Sequence, residues 1–282
     1  MEQSQGPLSG LLKKILFREG AKRPRLQPVW SRLHTLSVFA MNYGGGGLVE
    51  TSGEEWVLAN VVAPACARAE SPVVFDVGAN VGDYARLVRR HVPAATVYSF
   101  EPSHATYEQL ARNVAGEGGR VRAFNLGLSD ETKGVELYSY TVEGEEQSLI
   151  SSIDRRLPTQ VVNVEVSATE RIEVRPLDDF CAEHGVARID FLKLDVEGHE
   201  LAVLRGARRM LAAGAVSMIQ FEFGPANIYS RTFFYDFWTL LSGDFRIYRI
   251  VPKGLAPIAY YGEQREIFLT TNYLAVRRAG AG

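Results

Sequence analysis

The chain has 282 residues, a formal net charge of -2 and 46% hydrophobic side chains, enough apolar material for one large domain with an appendage. Without a Lys/Arg surplus there is no footprint for a phosphate backbone, so nucleic acid is not the default partner. Cys66 and Cys181 have neither zinc-ligand nor disulfide-framework spacing, which points to a reducing, cytoplasmic setting, and no run approaches the roughly 20 apolar residues that span a bilayer.

Residues 1–70 read as an N-terminal arm and helical extension. Leu11, Leu12, Ile15 and Leu16 recur at helical spacing beside Lys13, Lys14 and Arg18. The segment is too short and interrupted for a signal peptide, and a docking helix or loose arm is favoured over a weak membrane-surface contact. The glycine run Gly44 to Gly47 marks a loop or hinge.

From residue 71 to 282, short apolar strands alternate with helical patterns, as in a doubly wound, mostly parallel α/β sheet of the Rossmann type. Strands are expected at Val73 to Asp76, Thr96 to Phe100, Arg120 to Asn125, Ile189 to Asp195 and Val216 to Phe223. Helices are expected at Asp83 to Arg90, at His104 to Val114 behind a Ser103 N-cap, and at Glu200 to Leu211. A β insertion follows the third strand. In it, Gly134 to Thr141 and Val161 to Val174 alternate like antiparallel strands, and the polar Glu143 to Ser152 segment reads as a mobile loop. Leu177 to His184 reads as a short helix ending at Gly185. Past the aromatic patch of Phe233 to Trp238, Phe245 to Val251 and Ile267 to Val276 are expected to form an antiparallel C-terminal edge pair.

The most informative stretch is Phe75-Asp76-Val77-Gly78-Ala79-Asn80-Val81-Gly82. A buried strand here runs into a carboxylate and a glycine turn that lets a small ligand approach the backbone closely. Amide donors at the next helix start suit an anion, while Asp76 suits an ammonium. A ligand with both charges at one end, such as the amino-acid tail of S-adenosylmethionine, fits better than a pyrophosphate. Asn80 also stands where a dinucleotide fingerprint would carry its second glycine. Glu101, at the carboxyl end of the second strand, is placed to accept hydrogen bonds from a ribose diol. Asn125, with Leu126 and Leu128, could contact an adenine edge.

The fourth strand ends Lys193-Leu194-Asp195-Val196-Glu197-Gly198-His199-Glu200. In a doubly wound sheet this end lies beside the first strand at the point where strand order reverses, so Asp195 should face Asp76 across a crevice. Glu197 and His199 follow at the helix start, and Glu222 ends the fifth strand. Such converging groups suit proton transfer, with His199 and Glu222 ahead of Asp195 and Glu197 as proton acceptors. Asp195, Glu197 and Glu222 could hold magnesium, but the number of carboxylates does not establish one, and no metal is assigned. The insertion from Gly134 to Val174, with the hydroxyls of Ser148, Ser151 and Ser152, and the aromatic patch are the expected acceptor pocket, although core packing is favoured for most of the aromatics. A nicotinamide oxidoreductase and a noncatalytic adenosylmethionine-binding protein remain the rival readings.

The ordered set of motifs resembles the FkbM family of S-adenosylmethionine-dependent methyltransferases. The resemblance covers the Phe75 to Gly82 loop, Ser99-Phe100-Glu101-Pro102, Asn125 to Asp130, Ser151-Ser152-Ile153, Pro176 to Phe180, Lys193 to Glu200 and Asn272 to Ala275. It implies a class I, seven-stranded methyltransferase fold and methylation of a hydroxyl on a polyketide, glycan or other secondary metabolite. By matching motifs it also implies Asp76, Gly78, Asn80 and Gly82 as the cofactor loop, Glu101 as the ribose acid, and Asp195, Glu197 and Gly198 as the fourth-strand motif. The acceptor is then a small-molecule or glycan hydroxyl.

Overall fold

The computed structural model describes residue 10 and residues 23–47, 49–142, 149–153 and 164–279. The chain divides into two compact units, Met1–Tyr43 and Gly44–Gly282. In the first, a 3-10 turn at Pro24–Leu26 leads into a helix, Gln27–Ala40, with Pro28 in its first turn, where a missing amide hydrogen is harmless. The Leu11 to Leu16 pattern lies outside the described residues.

The second unit carries two sheets. Its strands, in chain order, are β1 (Val73–Val77), β2 (Thr96–Phe100), β3 (Val121–Phe124), β4 (Gly127–Ser129), β5 (Lys133–Val142), β6 (Leu149–Ser152), β7 (Val164–Pro176), β8 (Ile189–Leu194), β9 (Val216–Phe223), β10 (Phe245–Val251), β11 (Gly254–Ile258) and β12 (Thr271–Arg277). The main sheet has the order β11-β10-β12-β9-β8-β1-β2-β3. Strands β3, β2, β1, β8 and β9 run parallel, while β12, β10 and β11 are each antiparallel to their neighbours. Apolar side chains pack on both faces of β1, β2 and β8, with Phe75, Phe100, Leu192 and Leu194 in one core and Val74, Val97 and Phe191 in the other. This two-sided burial explains their nearly continuous apolar sequence. After β1 the chain moves outward to β2 and β3, then returns as β8 on the other side of β1. The reversal opens a crevice at the carboxyl ends of β1 and β8.

The parallel core and the antiparallel C-terminal pair agree with the sequence expectation, with one strand more than the expected seven. β12 lies between β9 and β10, and β11 extends the sheet to form the outer edge. The insertion forms a separate sheet ordered β4-β7-β5-β6. Residues 149–152, expected within a loop, pair with β5 as a strand, while residues 143–148 lie outside the described residues.

The helix expected over Glu200 to Leu211 is two helices, Glu200–Arg205 and Arg208–Ala212. At the break, a Cβ on Gly206 would stand 1.9 Å from the Ser129 carbonyl oxygen, so the chain needs glycine to pass there. The Asp178 carboxylate accepts the Arg209 and Met210 amides at 2.7 and 3.0 Å and so starts the second helix. Ser103 does precede the helix His104–Val114, but its side chain makes no cap. Glu101 accepts the Ser103 amide and Glu170, from β7, accepts that of His104.

Candidate active site

Backbone contacts around β1 build the crevice floor. Gly78 has φ of +81°, and a Cβ there would lie 1.8 Å from the Asp195 carbonyl oxygen. The two loops therefore touch backbone to backbone, which only glycine permits. The Gly78 and Ala79 amides donate to the Phe100 carbonyl at 3.0 and 2.9 Å. Asn80 is also left-handed, at φ +48°, and its amide donates to Glu101 Oε2 at 3.0 Å, while the Ser103 amide donates to Oε1 at 2.9 Å. Glu101 thus ties the first two strand ends together. Burial pushes its pKa up to about 7, against the lowering effect of these two amides.

Beneath this loop lies a charged row. Asp76, Lys193 and Gln220 are in register across β1, β8 and β9, so residues far apart in sequence share one face. Lys193 Nζ lies 3.0 Å from Asp195 Oδ2 and 3.8 Å from Asp76 Oδ1, and 4.5 Å from the centre of the Tyr84 ring. Asp76 is fully buried, and neither of its oxygens has a hydrogen-bond partner among the described residues. Burial pushes its pKa up to about 6 although Lys193 opposes the shift. For Lys193, burial works to lower the pKa, but Asp195, Asp76 and Glu54 outweigh it and raise it.

The turn after β8 is held from three sides. Glu200 Oε1 accepts the Val196 and Gly198 amides at 3.0 and 3.2 Å. Ser152 donates from its hydroxyl to the Glu197 carbonyl at 2.9 Å, and Glu197 itself has φ of +54°. His199 Nε2 lies 2.9 Å from Ser129 Oγ, and that hydroxyl donates its single hydrogen to Asp130 Oδ1 at 3.1 Å. The imidazole ring is thereby held against the Ser129 hydroxyl.

Two cavities meet at Gly78, Asn80 and Asp195. The first, about 160 Å³, runs past Phe100, Glu101, Leu126 and Leu128 to Val196, Glu197 and His199. The second, about 890 Å³, lies against Ser52, Glu54, Tyr84 and Lys193.

The structure thus brings Gly78, Asn80, Glu101, Asp195, Glu197 and His199 to one cavity wall. Four expected contacts lie elsewhere. Asp76 is fully buried, lines neither cavity and lies beside Lys193. Gly82 lines neither cavity, and a Cβ there would meet Leu110. Asn125 donates through Nδ2 to the Glu101 and Pro102 carbonyls at 3.0 and 2.8 Å, so it braces the ribose-side turn. Glu222 is half-buried, in register with Asn272, and lines neither cavity. Burial, followed by Asp195, Glu197, Glu200 and Glu54, raises its pKa well above the ordinary value.

In the expected acceptor pocket, Ser151 lines the first cavity, whereas Ser148 lies outside the described residues. In the aromatic patch, Phe234 and Phe237 are fully buried in the core, and Phe237 stacks on Phe221 at 4.7 Å. Packing accounts for both rings. Sequence reasoning missed Glu54, Lys193, Ser129 and Glu200 as parts of the site. A lysine near the end of a buried strand was the one legible sign. Among the described residues no cluster of three or more His, Cys, Asp or Glu side chains could hold a metal ion, and no helix is long and apolar enough to cross a membrane.

A profile of the Methyltransferase FkbM domain matches residues 76–247, more than half of the chain. Three curated relatives are similar over about half of the chain. The 2-O-methyltransferase NoeI of Sinorhizobium fredii is 28% identical over 56% of this chain and 65% of its own length. Methyltransferase sdnD of Sordaria araneosa is 31% identical over 48% of this chain and 60% of its own. The 31-O-demethyl-FK506 methyltransferase FkbM of Streptomyces tacrolimicus is 28% identical over 48% and 58%. In each case the chain spans less than two thirds of the relative's length.

Proposed function

Because this chain belongs to the FkbM family of S-adenosylmethionine-dependent methyltransferases, we propose that it methylates a hydroxyl on a glycan, polyketide or other secondary metabolite. The observation that supports this reading is the junction of two cavities at Asp195, of which we assign the first to the donor and the second to the alcohol. The residues suit the cofactor. Phe100, Pro102, Leu126 and Leu128 offer apolar walls for a base, Glu101 offers carboxylate lone pairs to a diol, and acids outnumber the single buried lysine around Asp195, which suits a cationic ligand. When bound, the cofactor supplies a methyl group already activated by its sulfonium.

The protein's work is then alignment of the acceptor oxygen and removal of its proton. Asp195 is ion-paired with Lys193 and is suited to positioning. Glu197 and His199 stand on the donor-side wall. The oxygen-specific names of two relatives, a 2-O-methyltransferase and a 31-O-demethyl-FK506 methyltransferase, favour oxygen as the atom methylated. A cytoplasmic setting goes with this reading, since Cys66 and Cys181 are both buried free thiols.

Calorimetry with adenosylhomocysteine tests the donor site, and a metabolite screen with labelled methyl donor tests transfer. Binding of the nucleoside with methyl incorporation is expected. Heat with a nicotinamide dinucleotide instead would replace this reading with an oxidoreductase, and cofactor binding without single-turnover transfer would leave a noncatalytic binder.

A further inference from the structure

The second cavity takes part of its wall from a segment ahead of the family match. Ser52 and Glu54 line it with Asn80, Tyr84, Lys193 and Asp195. Glu54 opens the helical turn Glu54–Val57, and its Oε1 accepts a hydrogen bond from Gln220 Nε2 at 2.7 Å. Gln220 is itself buried, in register with Lys193 on the neighbouring strand. The carboxylate is therefore anchored to the row of polar groups below the cofactor loop. Tyr84 is 9% exposed, and its hydroxyl has no hydrogen-bond partner among the described residues. A buried hydroxyl of that kind calls for a polar partner, an ordered water or a ligand atom.

The wall chemistry separates two classes of alcohol. Carboxylates, a serine, an asparagine amide, an ammonium and the Arg86 and Arg90 guanidiniums can bond several hydroxyls, beside Ala79, Val81 and Leu87, and Tyr84 is the one aromatic side chain in the lining. An apolar polyketide would desolvate these polar groups without offering them hydrogen bonds. Resting on the methyl-transfer reading above, we infer that the second cavity is the acceptor site for a polyhydroxylated, carbohydrate-type alcohol, and that Glu54 takes the proton from its reacting hydroxyl. In the step, the acceptor O–H proton passes to the Glu54 carboxylate and the oxygen bonds to the donor methyl carbon. The carbon–sulfur bond breaks with its electron pair left on sulfur, giving neutral thioether and methyl ether. Glu54 suits the task because burial raises its pKa, with Lys193 opposing and Asp195 and Asp76 assisting the shift.

The test uses the full chain and its Glu54→Gln variant. Adenosylhomocysteine affinity is measured by calorimetry. Methyl transfer from labelled adenosylmethionine is measured onto methyl α-glucopyranoside, methyl α-galactopyranoside, methyl α-glucuronide and a macrolide secondary alcohol. The expected result is labelling of a sugar, loss of that transfer by about 100-fold in Glu54→Gln, and adenosylhomocysteine affinity within about twofold of the parent. If Glu54→Gln fails to fold, Glu54→Asp and Gln220→Leu carry the test, each with at least a tenfold loss of transfer at unchanged nucleoside affinity.

Label on the macrolide alone, or on no member of the panel, overturns the inference while leaving the donor site standing. So does a tenfold or greater loss of adenosylhomocysteine affinity in Glu54→Gln, which would assign this cavity to the cofactor's amino-acid tail. Absence of nucleoside binding by the parent protein removes both the inference and the reading beneath it.

Discussion

The two cavities that meet at Asp195 are built from different kinds of sequence. The first is walled largely by the ends of β1, β2 and β8 and the turns that follow them, in short runs such as Phe100 to Pro102 and Asp195 to Glu197, with Leu137, Ser151 and Ile153 added from the insertion. The second joins the same loops to Ser52 and Glu54, which reach the crevice only because the helical segment from Glu54 to Cys66 packs on the sheet face through Val57, Leu58 and Val62. A donor site common to a family can be written in strand ends. A site that varies with the acceptor can be varied in a segment packed over them.

The largest expected effect is at the lysine of the buried charged row. Lys193→Met would leave Asp76 and Asp195 without their counter-charge, and Asp76 is completely buried. Losing one partner of a buried pair costs about 3–5 kcal/mol, so denaturant melts at pH 8 should show a loss of that order. At pH 5 the loss should be smaller, because Asp76, with a pKa of about 6, can take up a proton instead. Equal stability of the variant and parent at pH 8 would mean that the row carries no buried charge.

Glu101→Gln comes next and sharpens the division between donor and acceptor walls. It removes the charge that faces the proposed diol and sets a side-chain amide donor against the Asn80 or Ser103 N–H, where a carboxylate oxygen had accepted. Charged hydrogen bonds contribute about 1.5–3 kcal/mol, so adenosylhomocysteine affinity should fall roughly 10- to 100-fold. An unchanged dissociation constant would move the ribose elsewhere.

How much of this was legible follows from the same contrast. Asp76, Gly78, Asn80, Glu101 and Asp195 could be read because a parallel sheet fixes where strand ends go and periodicity marks the strands. The individual roles were less legible. Asp76 looked ligand-facing, but the alternation of β1 points it into the layer where Lys193 lies opposite. Asn125 looked like a base contact, yet an amide beside the exposed Glu101–Pro102 carbonyls braces them instead. Gly206 looked like an ordinary helical residue because nothing local reveals that the Ser129 carbonyl passes beside it. Glu54 had no signal, since a glutamate at a helix start is usually solvated and its partner Gln220 is far away in sequence. β11 was missed because its five residues start at Gly254 and are interrupted by Pro257, a pattern that suits an edge strand.

A third comparison sets His199 against Glu54. The Ser129 bond holds the imidazole at the donor-side wall, so His199→Ala should lower turnover about tenfold, well short of the loss expected for Glu54→Gln. It should also loosen the turn after β8. Steady-state kinetics on both variants decides the order, and a larger loss in His199→Ala would return the proton to the imidazole.

The smallest effect is spread over several acids and concerns pH. Burial raises Asp76 to about 6 and Glu101 and Glu200 to about 7, so in this range the folded protein holds protons that the unfolded chain has released. Stability of the ligand-free protein should therefore be greatest below about pH 4.5 as far as these groups are concerned, and should decline as pH rises toward 7. A bound ammonium and ribose diol favour the ionised carboxylates. Nucleoside binding at pH 6.5 should therefore release protons, seen as a binding heat that varies with the ionisation enthalpy of the buffer. Protons are predicted to come from the donor wall, so Glu101→Gln should reduce the release whereas Glu54→Gln should leave most of it. The reverse result would exchange the roles of the two cavities.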